Sequence, residues 1–300
     1  MTRPVTVGLD GSAAGFAAAE WGAREARRRE LPLRLVHAWE WQPYAHAPPV
    51  GADAPRLWSE RVAREAAAEL RRRHPELSIT ADHLAGPPSE MLCDVARDAE
   101  LLAVGTAGIG GLAGFFVGSV AMSVVAHTER PVVLVRAGTT DEEEHRFASD
   151  DQAPSTMPYR PVALGLDLSR PCDEVIRFAY EAAAVRAAPL QVIHGWSPPA
   201  FFAYGVGAEQ NWQADMAVQE TEEMRAALGP WREKYPGVEV IEQSVIGNSA
   251  HHLVEAGATA GLVVIGRRTT RPWAGAPRIG HTAHAVLHHC PAPVAVVPHT

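Results

Sequence analysis

Cysteine is scarce in this chain of 300 residues, which contains three cysteines in all. Their number is odd, their positions are far apart and no CxxC spacing occurs, so the sequence indicates neither a disulfide framework nor a zinc framework. We therefore expect Cys93, Cys172 and Cys290 to be buried thiols of a protein in a reducing cytoplasm.

Long apolar runs and an excess of positive charge are also missing. No stretch of about 18 uncharged apolar residues occurs, so we expect no membrane span. The first residues, MTRPVTVGLDGS, contain no apolar core of a signal peptide. The formal net charge is −8, whereas nucleic-acid-binding domains are usually basic, so we expect neither a membrane nor a nucleic acid as a partner.

The chain does contain an internal repeat. Val-Gly-Leu-Asp at 7–10 recurs as Leu-Gly-Leu-Asp at 164–167, an offset of 167 − 10 = 157. The same offset relates two further pairs of residues, His37 with His194 and Trp39 with Trp196. A later glycine pair, Gly86 and Gly247, has an offset of 247 − 86 = 161, so the register drifts little. Such regularity indicates a duplication, and a chain of this length fits two domains of about 150 residues each.

An acidic segment separates the two copies. Residues 138–160 contain six acidic residues and no apolar periodicity, which is typical of a linker because such a segment buries too little apolar surface to order itself. We therefore expect domain 1 at residues 1–137, an acidic linker at 138–160 and domain 2 at 161–300.

Apolar strands alternate with helical segments in each half. In the first half we expect strands at 5–9, 33–37, 78–84, 101–105 and 132–135, and helices at 12–29, 56–73, 89–98 and 120–127. The second half repeats this order, with helices expected near 173–186 and 210–234. Such a pattern predicts an α/β fold of two tandem doubly wound domains, each with a five-stranded parallel sheet covered on both faces. Ligands of such sheets bind beyond the carboxyl ends of the strands. We expect Ser12 to cap the first helix and Ser169 its equivalent in the second half.

A glycine-rich segment, GTAGIGGLAGFFVGS at 105–119, follows the fourth predicted strand and ends where a helix begins. Glycines let the backbone approach a ligand closely, and the amides at a helix N-terminus attract phosphate. The hydroxyl of Ser119 can donate a further hydrogen bond to a phosphate oxygen. Asp10 ends the first strand and Ala38 follows the second, so both reach the edge where a ribose and a base would lie.

The spacing of this segment resembles a known motif. Gly105, Gly108, Gly118 and Ser119 form Gly-x2-Gly-x9-Gly-Ser, which resembles the ATP-binding motif of the universal stress protein family. The resemblance extends over nearly all of both halves and includes four further features: Asp10, the pair His37-Ala38, the turn Gly86-Pro87 and the step Pro131-Val132.

The resemblance implies a tandem, flavodoxin-like member of that family with ATP as its ligand, with or without Mg²⁺. Adenine would lie near Ala38, the ribose near Asp10, and the phosphates on the loop from Gly105 to Val120. The last strand of each half would lie at a sheet edge, and exposed apolar edges invite pairing. We therefore expect the two halves to pair, within one chain or between the chains of a homodimer.

The resemblance also implies a stress-response or regulatory protein that acts through nucleotide-dependent conformation. The alternatives are a slow ATPase or another ATP-using enzyme, and a scaffold with vestigial sites. We find no base, nucleophile or metal-ligand set beside the loop, which favours binding over catalysis. The pairs His251-His252 and His288-His289 are adjacent on helices and point to different faces, so we expect no zinc site.

Other interpretations of single residues stay open at this point. Gly105 and Gly118 are also compatible with tight turns, and Asp10 and Asp167 with helix capping. His37 and His194 are expected to orient or pack near strand ends. Residues 108–113 match a dinucleotide-binding G-x-G-x-x-A pattern, but they follow the fourth strand and no acidic residue ends a following strand at the required position.

The second copy departs from the motif. Gly266 and Gly280 are kept, but Thr269 replaces the second glycine, His281 replaces the serine and the loop is one residue longer. Prolines remove amide donors from this loop, and arginines add positive charge to it. The prolines are Pro272 and Pro277, and the arginines are Arg267, Arg268, Arg271 and Arg278. We expect a tight ATP site in the first half and a weak or empty one in the second.

Overall fold

The computed structural model describes residues 2–40, 53–108, 115–146, 157–197, 212–269 and 279–300. Two compact units divide between Thr140 and Asp141. Part of the predicted linker is ordered within unit 2, because a short 3-10 helix spans Glu142–Glu144 and the Arg160 amide donates to the Glu144 carbonyl at 2.8 Å. None of the helices in the described ranges is both long enough and apolar enough to cross a membrane.

Unit 1 alternates strands and helices along the chain. Its elements are β1 (Val5–Leu9), α1 (Ala13–Arg28), β2 (Leu33–Trp39), α2 (Asp53–Arg73), β3 (Ile79–Ala85), α3 (Pro88–Ala96), β4 (Leu101–Gly108), β5 (Phe115–Phe116), α4 (Ser119–His127) and β6 (Val132–Arg136). Five strands form a parallel sheet in the order β3-β2-β1-β4-β6, and the short β5 pairs antiparallel with the end of β4.

Unit 2 repeats this architecture. Its elements are β7 (Val162–Gly165), α5 (Asp173–Ala184), β8 (Leu190–Trp196), α6 (Trp212–Lys234), β9 (Val240–Ile246), α7 (Ser249–Gly257), β10 (Leu262–Arg268), α8 (His281–His289) and β11 (Val294–His299). The parallel order β11-β10-β7-β8-β9 matches that of unit 1, with β10 in the place of β4. The predicted tandem of five-stranded parallel sheets is confirmed.

The core of unit 1 lies on both faces of its sheet, which explains why its strands are continuous apolar runs. All five residues of β1 are buried, and helices cover the sheet in two neighbouring pairs, α1 with α2 and α3 with α4. Small residues let α1 lie close to β1: a Cβ atom added to Gly22 would lie 2.5 Å from the Val7 side chain. The edge strand β3 differs from β1, because Ile79 is its only buried residue and its middle carries the polar residues Thr80, Asp82 and His83.

Two local predictions are wrong. Ser169 does not cap a helix, because α5 begins at Asp173 and follows Cys172. The residue before a proline is disfavoured in the helical region, so Arg170, which precedes Pro171, delays the start of this helix. Cys93 and Cys172 are half-buried rather than buried, and Cys290 is the buried thiol. Ser12 does cap α1, since its hydroxyl oxygen accepts from the Gly15 amide at 3.1 Å.

Candidate functional site

The carboxyl ends of three strands in unit 1 bring predicted site residues to one edge. Leu9 of β1 is opposite His37 of β2, so Asp10 and Ala38 each follow one residue beyond this pair. Ala38 is a buried residue within β2, which continues to Trp39, so the prediction that it follows the strand is wrong. Gly8 is opposite Val104 of β4, which places Gly105 level with the end of β1. β1 and β4 are the neighbours at which the order of the strands reverses. Doubly wound sheets bind their ligands at this switch point.

Asp10 is held in a fixed conformation by the residues that follow it. Its Oδ1 accepts hydrogen bonds from the Ser12 amide at 2.9 Å and from the Ser12 hydroxyl at 2.6 Å. The Ser12 oxygen in turn caps α1, so the helix-capping interpretation of Asp10 is wrong. A Cβ atom on Gly15 would lie 2.7 Å from Asp10 Oδ1, so a glycine is required where α1 passes this carboxylate. The result is an exposed, oriented carboxylate at the switch point.

Gly105 lies inside β4, and the tight-turn interpretation of this residue is wrong. A Cβ atom added to it would overlap the carbonyl group of Ala14 and lie 2.6 Å from the Gly15 nitrogen. Glycine is therefore needed because the first turn of α1 lies directly against β4. This contact places the N-terminus of α1 at the switch point, beside Asp10.

The short strand β5 determines where α4 begins. Phe115 pairs with Gly108 and Phe116 with Ala107, so the chain returns along the end of β4 before Gly118. The first hydrogen bond of α4 runs from the Met122 amide to the Gly118 carbonyl at 3.0 Å. The amides of Ser119, Val120 and Ala121 precede this bond, as the first amides of any helix do. Such a helix start suits a phosphate group.

Gly118 has no structural reason to be glycine among the described residues. Its φ of −63° and ψ of 158° are accessible to any residue, so a tight turn does not explain it. No described atom lies within 4 Å of a Cβ atom added there. The neighbouring Ser119 and Val120 are exposed. Among the residues that the structure describes, none fills the space against the backbone at Gly118.

His37 and His194 have the orienting role that the sequence predicts. His37 Nδ1 lies 2.8 Å from the Leu9 carbonyl oxygen, and His194 Nδ1 lies 2.9 Å from that of Leu166. Because a carbonyl only accepts, each Nδ1 carries the proton and donates it. Both rings are buried, so they fasten the ends of neighbouring strands.

Unit 2 keeps the arrangement around its first strand but not that of the helix after it. Asp167 Oδ1 accepts from the Ser169 amide at 3.0 Å and the Ser169 hydroxyl at 2.6 Å, as Asp10 does from Ser12. Pro171 stands at the position of Ala14, since 171 − 157 = 14. α5 begins later than α1, and the atoms nearest to a Cβ atom added to Gly266 belong to side chains instead of helix backbone: the His299 ring at 2.8 Å and a methyl group of Val175 of α5 at 3.2 Å.

Some sequence features lie outside the described residues. They include most of the dinucleotide-like pattern, residues 109–113, and the loop residues Arg271, Pro272, Pro277 and Arg278. Of the remaining two arginines, Arg267 is buried and Arg268 is exposed. Within the ranges that the structure describes, no three His, Cys, Asp or Glu side chains lie together as a metal site would require.

Comparisons with known proteins agree with this architecture. The model of the universal stress protein family matches residues 1–136 and 158–298. The chain is 34% identical over 310 residues to universal stress protein Rv2623 of Mycobacterium tuberculosis, with 97% of this chain and 95% of the relative covered. It is 29% identical over 306 residues to universal stress protein Rv2005c of the same species, with coverages of 97% and 96%. A solved universal stress protein from Archaeoglobus fulgidus has a TM-score of 0.68 at 16% identity, over 98% of both chains, which shows the fold.

Proposed function

The chain belongs to the universal stress protein family, and from this premise we propose that unit 1 binds an adenine nucleotide, with ATP as the first ligand to test. The observation that carries the proposal is that the edge at the switch point combines the exposed, oriented carboxylate of Asp10 with an exposed serine, Ser119, at the start of α4. Gly118 precedes this serine, and neither its backbone conformation nor its packing against described residues requires a glycine. Gly280 of unit 2 has the same conformation, but His281 follows it in place of the serine.

The geometry of the edge supports a placement for each part of the nucleotide. The phosphates would contact the amides of Ser119 and Val120 and the Ser119 hydroxyl, beside the glycine positions Gly105 and Gly108. The oriented carboxylate of Asp10 would accept hydrogen bonds from the ribose hydroxyls. Adenine would lie beside Ala38, one residue past the end of the β1–β2 pairing.

The electrostatics of unit 1 are also favourable for an anion. Neither α1 nor α4 has an acidic residue in its first turn. The partial positive charge at the N-terminus of α4 is therefore not neutralised by side chains of its own first turn. At the N-terminus of α1, by contrast, the Asp10 carboxylate accepts from the Ser12 amide. Phosphate groups would gain from the start of α4, and the regulatory role would act through a nucleotide-dependent conformation of unit 1.

Ser119→Ala tests this proposal, with Ser123→Ala as the matched control on the same helix. Loss of a hydrogen bond to a charged group costs about 1.5–3 kcal/mol, which corresponds to a tenfold or greater loss of ATP affinity. Ser123 lies one turn further on, where its hydroxyl is 3.5 Å from His127 Nδ1, so its replacement should leave the affinity unchanged. Calorimetric titration of the two folded variants measures the difference. Equal ATP affinities for both would contradict the assignment of Ser119.

A further inference from the structure

A polar cleft lies between α2 and β3 in unit 1. Its volume is about 340 Å³, and its lining includes Arg64 and Arg71 of α2 together with Ala81 of β3. Cavities that bind small molecules usually have volumes of about 300–1,000 Å³. The cleft is therefore large enough for a small ligand.

Unit 2 contains the same two arginines, and there they bind a carboxylate. Arg225 and Arg232 of α6 correspond to Arg64 and Arg71, since 225 − 161 = 64 and 232 − 161 = 71. Arg232 Nη2 donates to Glu242 Oε1 at 2.7 Å, and Arg225 Nη2 lies 3.9 Å from Glu242 Oε2. The Glu242 side chain is 13% exposed. A carboxylate of β9 is thus held by two arginines of α6.

The local structures of the two units support this alignment of the helices and strands. At the end of α2 the His74 amide donates to the Leu70 carbonyl, and at the end of α6 the Tyr235 amide donates to the Trp231 carbonyl, at the offset 235 − 74 = 161. β3 pairs with β2 in the register in which β9 pairs with β8. The two units can therefore be compared position by position.

Unit 1 keeps the arginines but lacks their carboxylate. Ala81 stands in the place of Glu242, since 242 − 161 = 81, and Ala63 in the place of Met224, since 224 − 161 = 63. Met224 is fully buried in unit 2. Two larger side chains of unit 2 are therefore alanines in unit 1, and both alanines line the cleft.

The two arginines of unit 1 have hydrogen-bond donors to offer a ligand. Arg71 Nη2 donates to the Ile79 carbonyl at 2.7 Å, which uses one of the five N–H groups of its guanidinium. Among the described residues, Arg64 has neither a hydrogen bond nor an ion pair. A guanidinium matches a carboxylate geometrically, because two parallel N–H groups can donate to its two oxygens.

The acidic residues of the lining leave an excess of positive charge. Asp82 Oδ2 accepts from Arg34 Nε at 2.6 Å, so an arginine outside the lining matches its charge. Glu60 adds one negative charge to the lining, against the two positive charges of the arginines on the same helix. An anion therefore enters a cleft of net positive charge.

We propose that this cleft binds a small molecule with a carboxylate group, and that the carboxylate takes the position that Glu242 has in unit 2. Arg64 and Arg71 bind the carboxylate, and Ala63 and Ala81 leave room for the rest of the molecule. The site is formed by α2 and β3, whereas the ends of β1, β2 and β4 form the edge proposed for nucleotide. The inference therefore does not depend on the proposed function of unit 1.

Propionate is the probe, because it has the same carbon skeleton as a glutamate side chain. An NMR titration at constant ionic strength follows the Nε–Hε signals of Arg64 and Arg71, with propionamide as the uncharged control ligand. We expect propionate to shift both signals to a plateau and propionamide to leave them in place. No shift with propionate, or equal shifts with both compounds, would overturn the inference.

Three variants locate the binding. Arg64→Gln should weaken propionate binding at least tenfold, because a charged donor of the site is lost. Ala81→Glu should abolish binding, because the new carboxylate takes the position of the ligand. Thr80→Glu is the matched control: it adds the same charge to the neighbouring residue, which lies on the other face of β3, and it should leave the affinity unchanged.

The inference fails if Ala81→Glu binds propionate as tightly as Thr80→Glu does. It also fails if Arg64→Gln binds propionate as tightly as the wild type. Arg64 is exposed, so its replacement does not disturb the core, and this variant decides the question if Ala81→Glu does not fold.

Discussion

Replacing Gly105 by alanine should destabilise unit 1 far more than the equivalent substitution, Gly266→Ala, destabilises unit 2. The new Cβ atom in unit 1 would meet backbone only: it would overlap the Ala14 carbonyl group and lie 2.6 Å from the Gly15 nitrogen. Ordinary contacts begin near 3.4 Å, so the first turn of α1 would have to move by 3.4 − 2.6 = 0.8 Å or more. Overpacking of this kind costs about 1–3 kcal/mol, and a backbone obstacle places the cost at the upper end.

Gly266→Ala is the matched control. Its Cβ atom would meet the end of the His299 ring and, at 3.2 Å, a methyl group of Val175. A side chain can rotate away, so we expect a destabilisation below about 1.5 kcal/mol. Moving α1 would also displace Asp10 and Ser12, so Gly105→Ala should weaken ATP binding and Gly266→Ala should not.

Urea unfolding and calorimetric titration of the two variants check this difference. Because a chain of two units can unfold in more than one step, each transition is fitted separately. The argument that α1 lies against β4 at Gly105 would be refuted if both substitutions destabilised the protein equally. It would also be refuted if the Gly105→Ala variant bound ATP as tightly as the wild type.

Two further predictions concern Gly118 and Glu174. Gly118→Ala should change the free energy of unfolding by less than about 0.5 kcal/mol, as surface substitutions usually do. It should nevertheless lower ATP affinity, because the methyl group would enter the space proposed for phosphate. Unchanged ATP affinity in calorimetry would contradict this prediction. The Cys172 thiol donates to Glu174 Oε2 at 2.8 Å, and this hydrogen bond holds the pKa of Glu174 below its ordinary value of 4.5, so Cys172→Ala should raise that pKa. A carboxyl group whose pKa is lowered by folding stabilises the folded state at pH values above its unfolded-state pKa, and this stability is lost as the pH falls through its folded-state pKa. The variant lacks this contribution and should therefore lose less stability on acidification. A carboxyl NMR titration that gives the same pKa for Glu174 in both proteins would disprove the role of the thiol.

Much of the fold follows from local sequence patterns. The strands β1 and β4 are continuous apolar runs, and the constant offset between the copies allows elements of one half to be located in the other. Asp10, Ala38 and Gly105 were placed at one edge because parallel strands that alternate with helices end on the same side of the sheet. The predicted start of a helix near residue 173 is confirmed, because α5 begins at Asp173.

The features that sequence reasoning missed depend on contacts between distant residues. Gly105 is required by Ala14, and this contact exists only once α1 has packed on β4. The two-residue strand β5 has no periodicity to detect, yet it brings α4 back to the end of β4. The contact of the His299 ring with Gly266 likewise joins residues that no local pattern connects.

ATP binding by the intact chain tests the central claim most directly. Native mass spectrometry of the wild-type protein and of Ser119→Ala, at the same ATP concentration, reports how many nucleotides each chain holds. We predict one ATP mass increment on the wild-type chain and a clearly smaller occupied fraction for the variant. No increment on the folded wild-type chain at saturating ATP would contradict a nucleotide site in unit 1.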